Sequence, residues 1–171
     1  MGGKLSLESD KGKGSKFYFE LTFELAATPA IYNPIKISET SDLKLLRVLL
    51  VEDNKINMLV AKKALTSFQA SVDSAYDGAE ALASLAHFPH YDIVLMDLEM
   101  PVMNGYEAIF EMKKKYPLIP VIAFTASLVD QQMLSDLLAS GFNDCLLKPF
   151  NPQQLLSVIK KHAGIKKSPQ N

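Results

Sequence analysis

Apolar and polar positions alternate along Lys16-Phe17-Tyr18-Phe19-Glu20-Leu21-Thr22-Phe23-Glu24-Leu25, which puts Phe17, Phe19, Leu21, Phe23 and Leu25 on one face. A period of two predicts a half-buried strand. Lys4-Leu5-Ser6-Leu7-Glu8 alternates over a shorter span, and Asp10-Lys11-Gly12-Lys13-Gly14 supplies turn residues between the two. Residues 4–25 are therefore expected to form a β-hairpin. A two-stranded ribbon is marginal in water, so its aromatic row must lean on other structure.

From Arg47 the texture changes. Val48-Leu49-Leu50-Val51, Ile93-Val94-Leu95-Met96 and Val121-Ile122-Ala123-Phe124 are unbroken apolar runs, the length of strands buried on both faces. Helical periodicity is expected over Asn54 to Phe68, with Val60, Ala61, Ala64, Leu65 and Phe68 on one stripe centred near Asn57, Val60, Ala64 and Phe68. It returns over Gly78 to Ala86, Asn104 to Lys115, Leu128 to Ser140 and Pro152 to His162. Further strands are expected at Ala70 to Ser74 and Asp144 to Leu147, with Asp92 to Asp97 as the central one. Strands alternating with helices of this length make βαβ units, hence an α/β fold with a doubly wound, five-stranded parallel sheet and helices on both faces. Residues 26–46, with Thr28-Pro29, Asn33-Pro34 and Ser38-Glu39-Thr40-Ser41-Asp42, read as a linker, and 165–171 as a flexible tail.

Composition narrows the function classes. Eighteen Lys+Arg against nineteen Asp+Glu leave a net charge of -1, so no electrostatic case exists for nucleic acid or an anionic membrane as partner. No apolar run approaches the ~18 residues of a membrane span. One cysteine, Cys145, rules out an internal disulfide and fits a reducing compartment, from which a cytoplasmic location is expected. Met1-Gly2-Gly3-Lys4-Leu5-Ser6 formally matches a myristoylation pattern but runs straight into a strand, and no apolar stretch follows Lys4 as a signal peptide requires.

In such a sheet the strand ends at Glu52-Asp53, Asp97, Thr125 and Lys148 share the carboxyl edge, where ligands are found in open α/β folds. Clustered carboxylates repel by about 4 kcal/mol per pair at about 4 Å and an effective dielectric of about 20, so they need a cation or shared protons. An all-oxygen, acid-rich set suits Mg²⁺. A carboxylate nucleophile, a hydroxyl and a lysine held together there match what phosphoryl transfer to an aspartate requires.

The set Val51-Glu52-Asp53-Asn54, Met96-Asp97-Leu98-Glu99-Met100-Pro101-Val102-Met103-Asn104-Gly105, Thr125-Ala126 and Lys148-Pro149-Phe150 resembles the receiver domain of two-component response regulators. The form with Asn54 and Asn57 is similar to receivers fused to hybrid histidine kinases, and the resemblance covers residues 47–164. It implies a flavodoxin-like strand order 2-1-3-4-5, counted from Arg47, with Asp97 as phosphoacceptor. It also implies a Mg²⁺ site of Asp53 and Asp97 with Glu52 acting through water, completed by the Glu99 backbone carbonyl. Thr125 would bind phosphoryl oxygen, Lys148 would pair with phosphate, and the Lys148-Pro149 bond would be cis. The implied partners are a phosphohistidine-bearing kinase domain or a histidine phosphotransfer protein. Residues 1–25 resemble the last two strands of a sensor kinase ATP-binding domain, without the boxes that hold ATP, so no ATP site is expected. Self-association through the hairpin stays open.

Two other classes share the topology. A flavodoxin-like cofactor binder would carry Gly, Ser and Thr where these loops carry acids. An aspartyl-phosphate hydrolase needs a second acid two residues past the nucleophile, an offset that Glu99 occupies. Ile56 and Leu59 are expected to point away from the core beside the active edge, as a docking surface. Receivers usually place an aromatic ring three residues before the lysine; here that position is Cys145, expected to be largely buried and inert.

Overall fold

The computed structural model describes residues 3–21, 43, 45–126 and 131–163, and the chain divides into two compact units, 1–38 and 39–171. In the first, β1 (Gly3–Asp10) pairs antiparallel with β2 (Gly14–Leu21). The turn between them needs positive φ, which Gly12 (85°) and Gly14 (93°) supply without a Cβ clash. Leu5 lies opposite Phe19 and Leu7 opposite Phe17, so all four share one face. That face was expected to be half-buried; the four side chains are exposed instead. On the other face Tyr18 donates its hydroxyl to Glu8 at 2.9 Å. Residues 22–25 and most of the expected linker, like the tail, lie outside the described residues.

The second unit holds a parallel sheet of β3 (Arg47–Val51), β4 (Ser71–Ala75), β5 (Ile93–Asp97), β6 (Val121–Thr125) and β7 (Asp144–Leu147), in the order β4-β3-β5-β6-β7. Among the described residues five helices alternate with the strands: α1 (Lys55–Ser67), α2 (Gly78–His87), α3 (Gly105–Lys115), α4 (Gln131–Ala139) and α5 (Pro152–His162). The doubly wound parallel sheet is the one expected from the strand pattern, and its order is the flavodoxin-like one that the receiver resemblance implies. Strand alternation sorts the core into two layers. Val48, Leu50, Ile93, Leu95, Ile122 and Phe124 meet Met58, Ala61 and Leu65 of α1 and Leu155, Val158 and Ile159 of α5. Leu49, Val51, Val94, Met96, Val121 and Ala123 meet α2, α3 and Leu137 of α4. With every one of those strand residues fully or almost fully enclosed, the sheet is a rigid floor for whatever its carboxyl edge carries.

Two expectations are corrected. The stripe of α1 runs through Met58, Ala61, Leu65 and Phe68, while Val60 and Asn57 are exposed. Apolar residues at both 60/64 and 61/65 left the phase of the helix ambiguous, and docking on the sheet selects the second pair. Leu43 and Leu46, expected in the linker, are buried in the core, and Leu43 N–H donates to the Phe68 carbonyl at 3.1 Å while the Leu46 carbonyl accepts from Ser71 at 2.9 Å. Leu43, Leu45 and Leu46 make too short an apolar run to declare a period.

Candidate functional site

Each residue at the carboxyl edge is set there by local structure. Glu52 and Asp53 follow β3 directly, and Asn54 caps α1 by accepting from the N–H groups of Ile56 and Asn57 at 2.9 and 3.2 Å. Asp97 ends β5. The loop after it folds back closely enough that a Cβ on Gly105 would run into the Asp97 backbone carbonyl, so only glycine fits there. Asn104 and Glu107 close α3 with a reciprocal capping box, fixing that loop's far end. Gly105 N–H donates to Leu98 at 3.0 Å and Gly78 N–H to Met103 at 3.0 Å. Thr125 ends β6, and its carbonyl accepts from Lys148 N–H at 2.7 Å, aligning the start of the next loop. The Lys148-Pro149 bond is cis.

Glu52, Asp97 and Thr125 are the buried polar or charged residues among those described, and all three lie at this one edge. Elsewhere the interior is apolar, so burial of polar groups here needs a specific reason. Lys148 Nζ donates to Glu52 Oε2 at 2.6 Å and Asp97 Oδ2 at 2.7 Å, joining positions 96 and 51 residues away in sequence. Burial alone would lower the pKa of this ammonium, but the two carboxylates more than reverse that and hold it above its ordinary value. Glu52 Oε1 accepts from Asn57 Nδ2 at 3.1 Å and Asn54 N–H at 3.3 Å. Glu99 is exposed; its N–H lies 3.4 Å from Asp97 Oδ1.

Glu52, Asp53 and Asp97 each offer an oxygen within 4.8 Å of the others. Three carboxylates at that spacing, one of them exposed at the mouth, fit a hard divalent cation that keeps some of its waters, as Mg²⁺ does. Beside the acids lies a cleft of about 450 Å³ lined by Asn57, Val60, Phe124, Lys148, Pro149 and Phe150. The sequence pattern brought the acids, Thr125 and Lys148 to this edge. It missed Asn57 as a partner of Glu52, although a spacing of five residues across a strand-to-helix turn was a usable signal. Cys145, expected to be largely buried, is half-buried against the core on the α2–α4 side.

The carboxyl edge of this doubly wound α/β sheet thus holds a lysine-bridged pair of buried acids, a buried threonine and an open acidic triad. The chain belongs to the response regulator receiver domain family, which it matches over residues 48–160. It is similar to the aerobic respiration control sensor protein ArcB of Escherichia coli K12, at 35% identity over 164 residues covering 94% of this chain and 20% of that protein. The autoinducer 2 sensor kinase/phosphatase LuxQ of Vibrio vulnificus YJ016 is 33% identical over 90% of this chain and 18% of its own length. The chain thus spans about a fifth of these curated relatives. The receiver domain of a sensor histidine kinase from Pseudomonas aeruginosa PAO1, with a magnesium ion coordinated in its active site cleft, superposes with a TM-score of 0.63. It is 35% identical over 70% of this chain and 98% of that structure. Receiver domains bind Mg²⁺ at an acidic site and interact with phosphotransfer partners in two-component signalling. Among the described residues, no helix is long and apolar enough to cross a membrane.

Proposed function

We propose that this domain accepts a phosphoryl group from a phosphohistidine onto Asp97 and passes it on in a phosphorelay. The carrying observation is the enclosed Asp97 carboxylate, hydrogen-bonded by Lys148 at 2.7 Å beside an acidic triad. A carboxylate oxygen of Asp97 displaces the donor's imidazole nitrogen. Lys148 moves its hydrogen bond from the Asp97 carboxylate to a phosphoryl oxygen while staying anchored by Glu52. The Thr125 hydroxyl binds a second phosphoryl oxygen. Asp53, Asp97 and the Glu99 carbonyl would hold Mg²⁺, with Glu52 acting through water, and the bound ion would neutralise charge on the oxygens of the transferred group.

The donor or acceptor is a histidine-bearing helix laid along α1, where Ile56, Leu59 and Val60 are exposed beside the cleft. A second groove of about 320 Å³ shares Val60 and Phe150 with that cleft, extending the apolar track. The parent protein is a hybrid sensor kinase, and 1–25 is the end of its ATP-binding domain. Support comes from the similarity to ArcB, which covers 94% of the chain and so reaches well before residue 48, where the receiver match begins.

Incubation with acetyl phosphate, with and without Mg²⁺, followed by intact mass and a tryptic map, tests the reading. A lasting Mg²⁺-dependent adduct on Asp97 is expected; label on another residue overturns it, and rapid multiple turnover points to a hydrolase instead. For the docking face, Ile56→Asp with Leu59→Asp is expected to slow transfer from a phosphohistidine donor while acetyl phosphate labelling stays normal.

A further inference from the structure

We infer that Asn57 is a positioning residue for the acidic site, acting through Glu52; this rests on the Mg²⁺-dependent reading above. Glu52 is 1% exposed, yet nothing in its own chain fixes the rotation of its carboxylate, because a terminal sp³–sp² torsion is broad. Lys148 holds Oε2, but an ammonium donates in several directions and tolerates that rotation. The lateral bond from Asn57 Nδ2 to Oε1, at 3.1 Å, removes the freedom. A carboxylate only accepts, so the Asn57 amide must present its NH₂ group to it.

Asn57 is itself held. Its backbone N–H is tied to the Asn54 side chain at 3.2 Å, and Asn54 N–H adds a weaker 3.3 Å contact to the same Oε1. The first turn of α1 thus grips Glu52 from one side while Lys148 grips it from the other. The consequence is a preset relation between Glu52 and the two aspartates with which it shares the 4.8 Å triad. Partners that orient metal ligands from behind typically change affinity by about 10–100-fold when removed. Asn57 also lines the cleft with Val60 and Phe150, so the same side chain stands where a docked partner touches the acid site.

The test is Mg²⁺ titration by calorimetry of the whole chain for wild type, Asn57→Ala, Glu52→Gln and the double variant, with thermal unfolding in the absence of Mg²⁺. Asn57→Ala is expected to weaken Mg²⁺ binding about tenfold, with the maximal acetyl phosphate labelling rate recovered at saturating Mg²⁺. In the Glu52→Gln background the same change should move affinity by less than about twofold, since no carboxylate remains to orient. Asn57→Leu, close in size and without a donor, should repeat the shift if the alanine variant folds poorly. Val158→Ala, a core truncation away from the site, should lower the unfolding temperature and leave Mg²⁺ affinity alone. An unmoved affinity in Asn57→Ala, or an equal loss with and without Glu52, overturns this inference alone. A wild-type chain that binds no Mg²⁺ overturns the functional reading and this inference together.

Discussion

At the amino edge of the five-stranded sheet each acid meets its own hydrogen-bonding partners, whereas at the carboxyl edge Glu52 and Asp97 share the one ammonium of Lys148. Arg47 lies 3.4 Å from Asp73 and over the Phe88 ring at 3.8 Å, and its N–H donates to Asp92 at 2.7 Å. Tyr91 donates to Asp73 at 2.9 Å, and burial, with Asp73 adding to it, pushes its phenol up to about 12. Lys113 donates to the Ile119 carbonyl at 3.0 Å, and burial lowers its ammonium pKa. Asp144 accepts from Lys161 and lies 2.8 Å from His162. These contacts close loops between neighbouring elements. At the opposite edge the contacts join β3, β5 and the loop after β7, and they hold like charges together at a cost in stability. Such an arrangement persists where charge clustering serves chemistry, and its removal should act differently from removal of a loop-closing pair.

The largest expected effect is on chemistry. Asp97→Asn should abolish labelling by acetyl phosphate, because an amide lacks the nucleophilic oxygen, and intact mass spectrometry reads this directly. Next comes stability. Lys148→Ala leaves the two buried carboxylates of Glu52 and Asp97 without their shared cation and should destabilise by about 3 kcal/mol in urea unfolding without Mg²⁺. Arg47→Ala, which breaks a half-exposed pair and one ring contact, should cost about 1 kcal/mol. Equal losses would erase the contrast between the edges.

A smaller effect is set by pH. Burial works to raise the Asp144 pKa, but the hydrogen bonds from Lys161, His162 and Cys145 N–H outweigh it and hold the carboxyl below its ordinary value. A depressed carboxyl contributes stability that is complete above the unfolded value of about 4 and disappears as pH falls through the native one. Asp144→Asn should therefore flatten the acid limb of urea midpoints below about pH 4. The smallest effect concerns Cys145, whose thiol is pushed up by burial and then by Asp144. It should react with an aromatic disulfide reagent more slowly than a free thiol at neutral pH, at the same rate before and after labelling of Asp97. Protection that appears only on labelling would make Cys145 part of the response.

Much of this molecule was legible in short-range pattern. Unbroken apolar runs at Val48 to Val51 and Ile93 to Met96 had to be strands covered on both sides, and the acids following them had to share an edge, because parallel strands end together. The caps at Asn54 and Asn104 set helix starts from the side chain of one residue and the backbone two or three residues on. Periodicity says which residues can face inward but not which face wins when two are apolar. Only packing against β3 and α5 placed Met58 inside and Val60 at the cleft, and only burial beneath Phe68 drew Leu43 out of the expected linker. The lysine bridge and the Asn57 bond to Glu52 were likewise decided in three dimensions. A hydrogen bond depends on distances of a few tenths of an ångström, and chain positions 96 residues apart carry no such information until the sheet has brought them together.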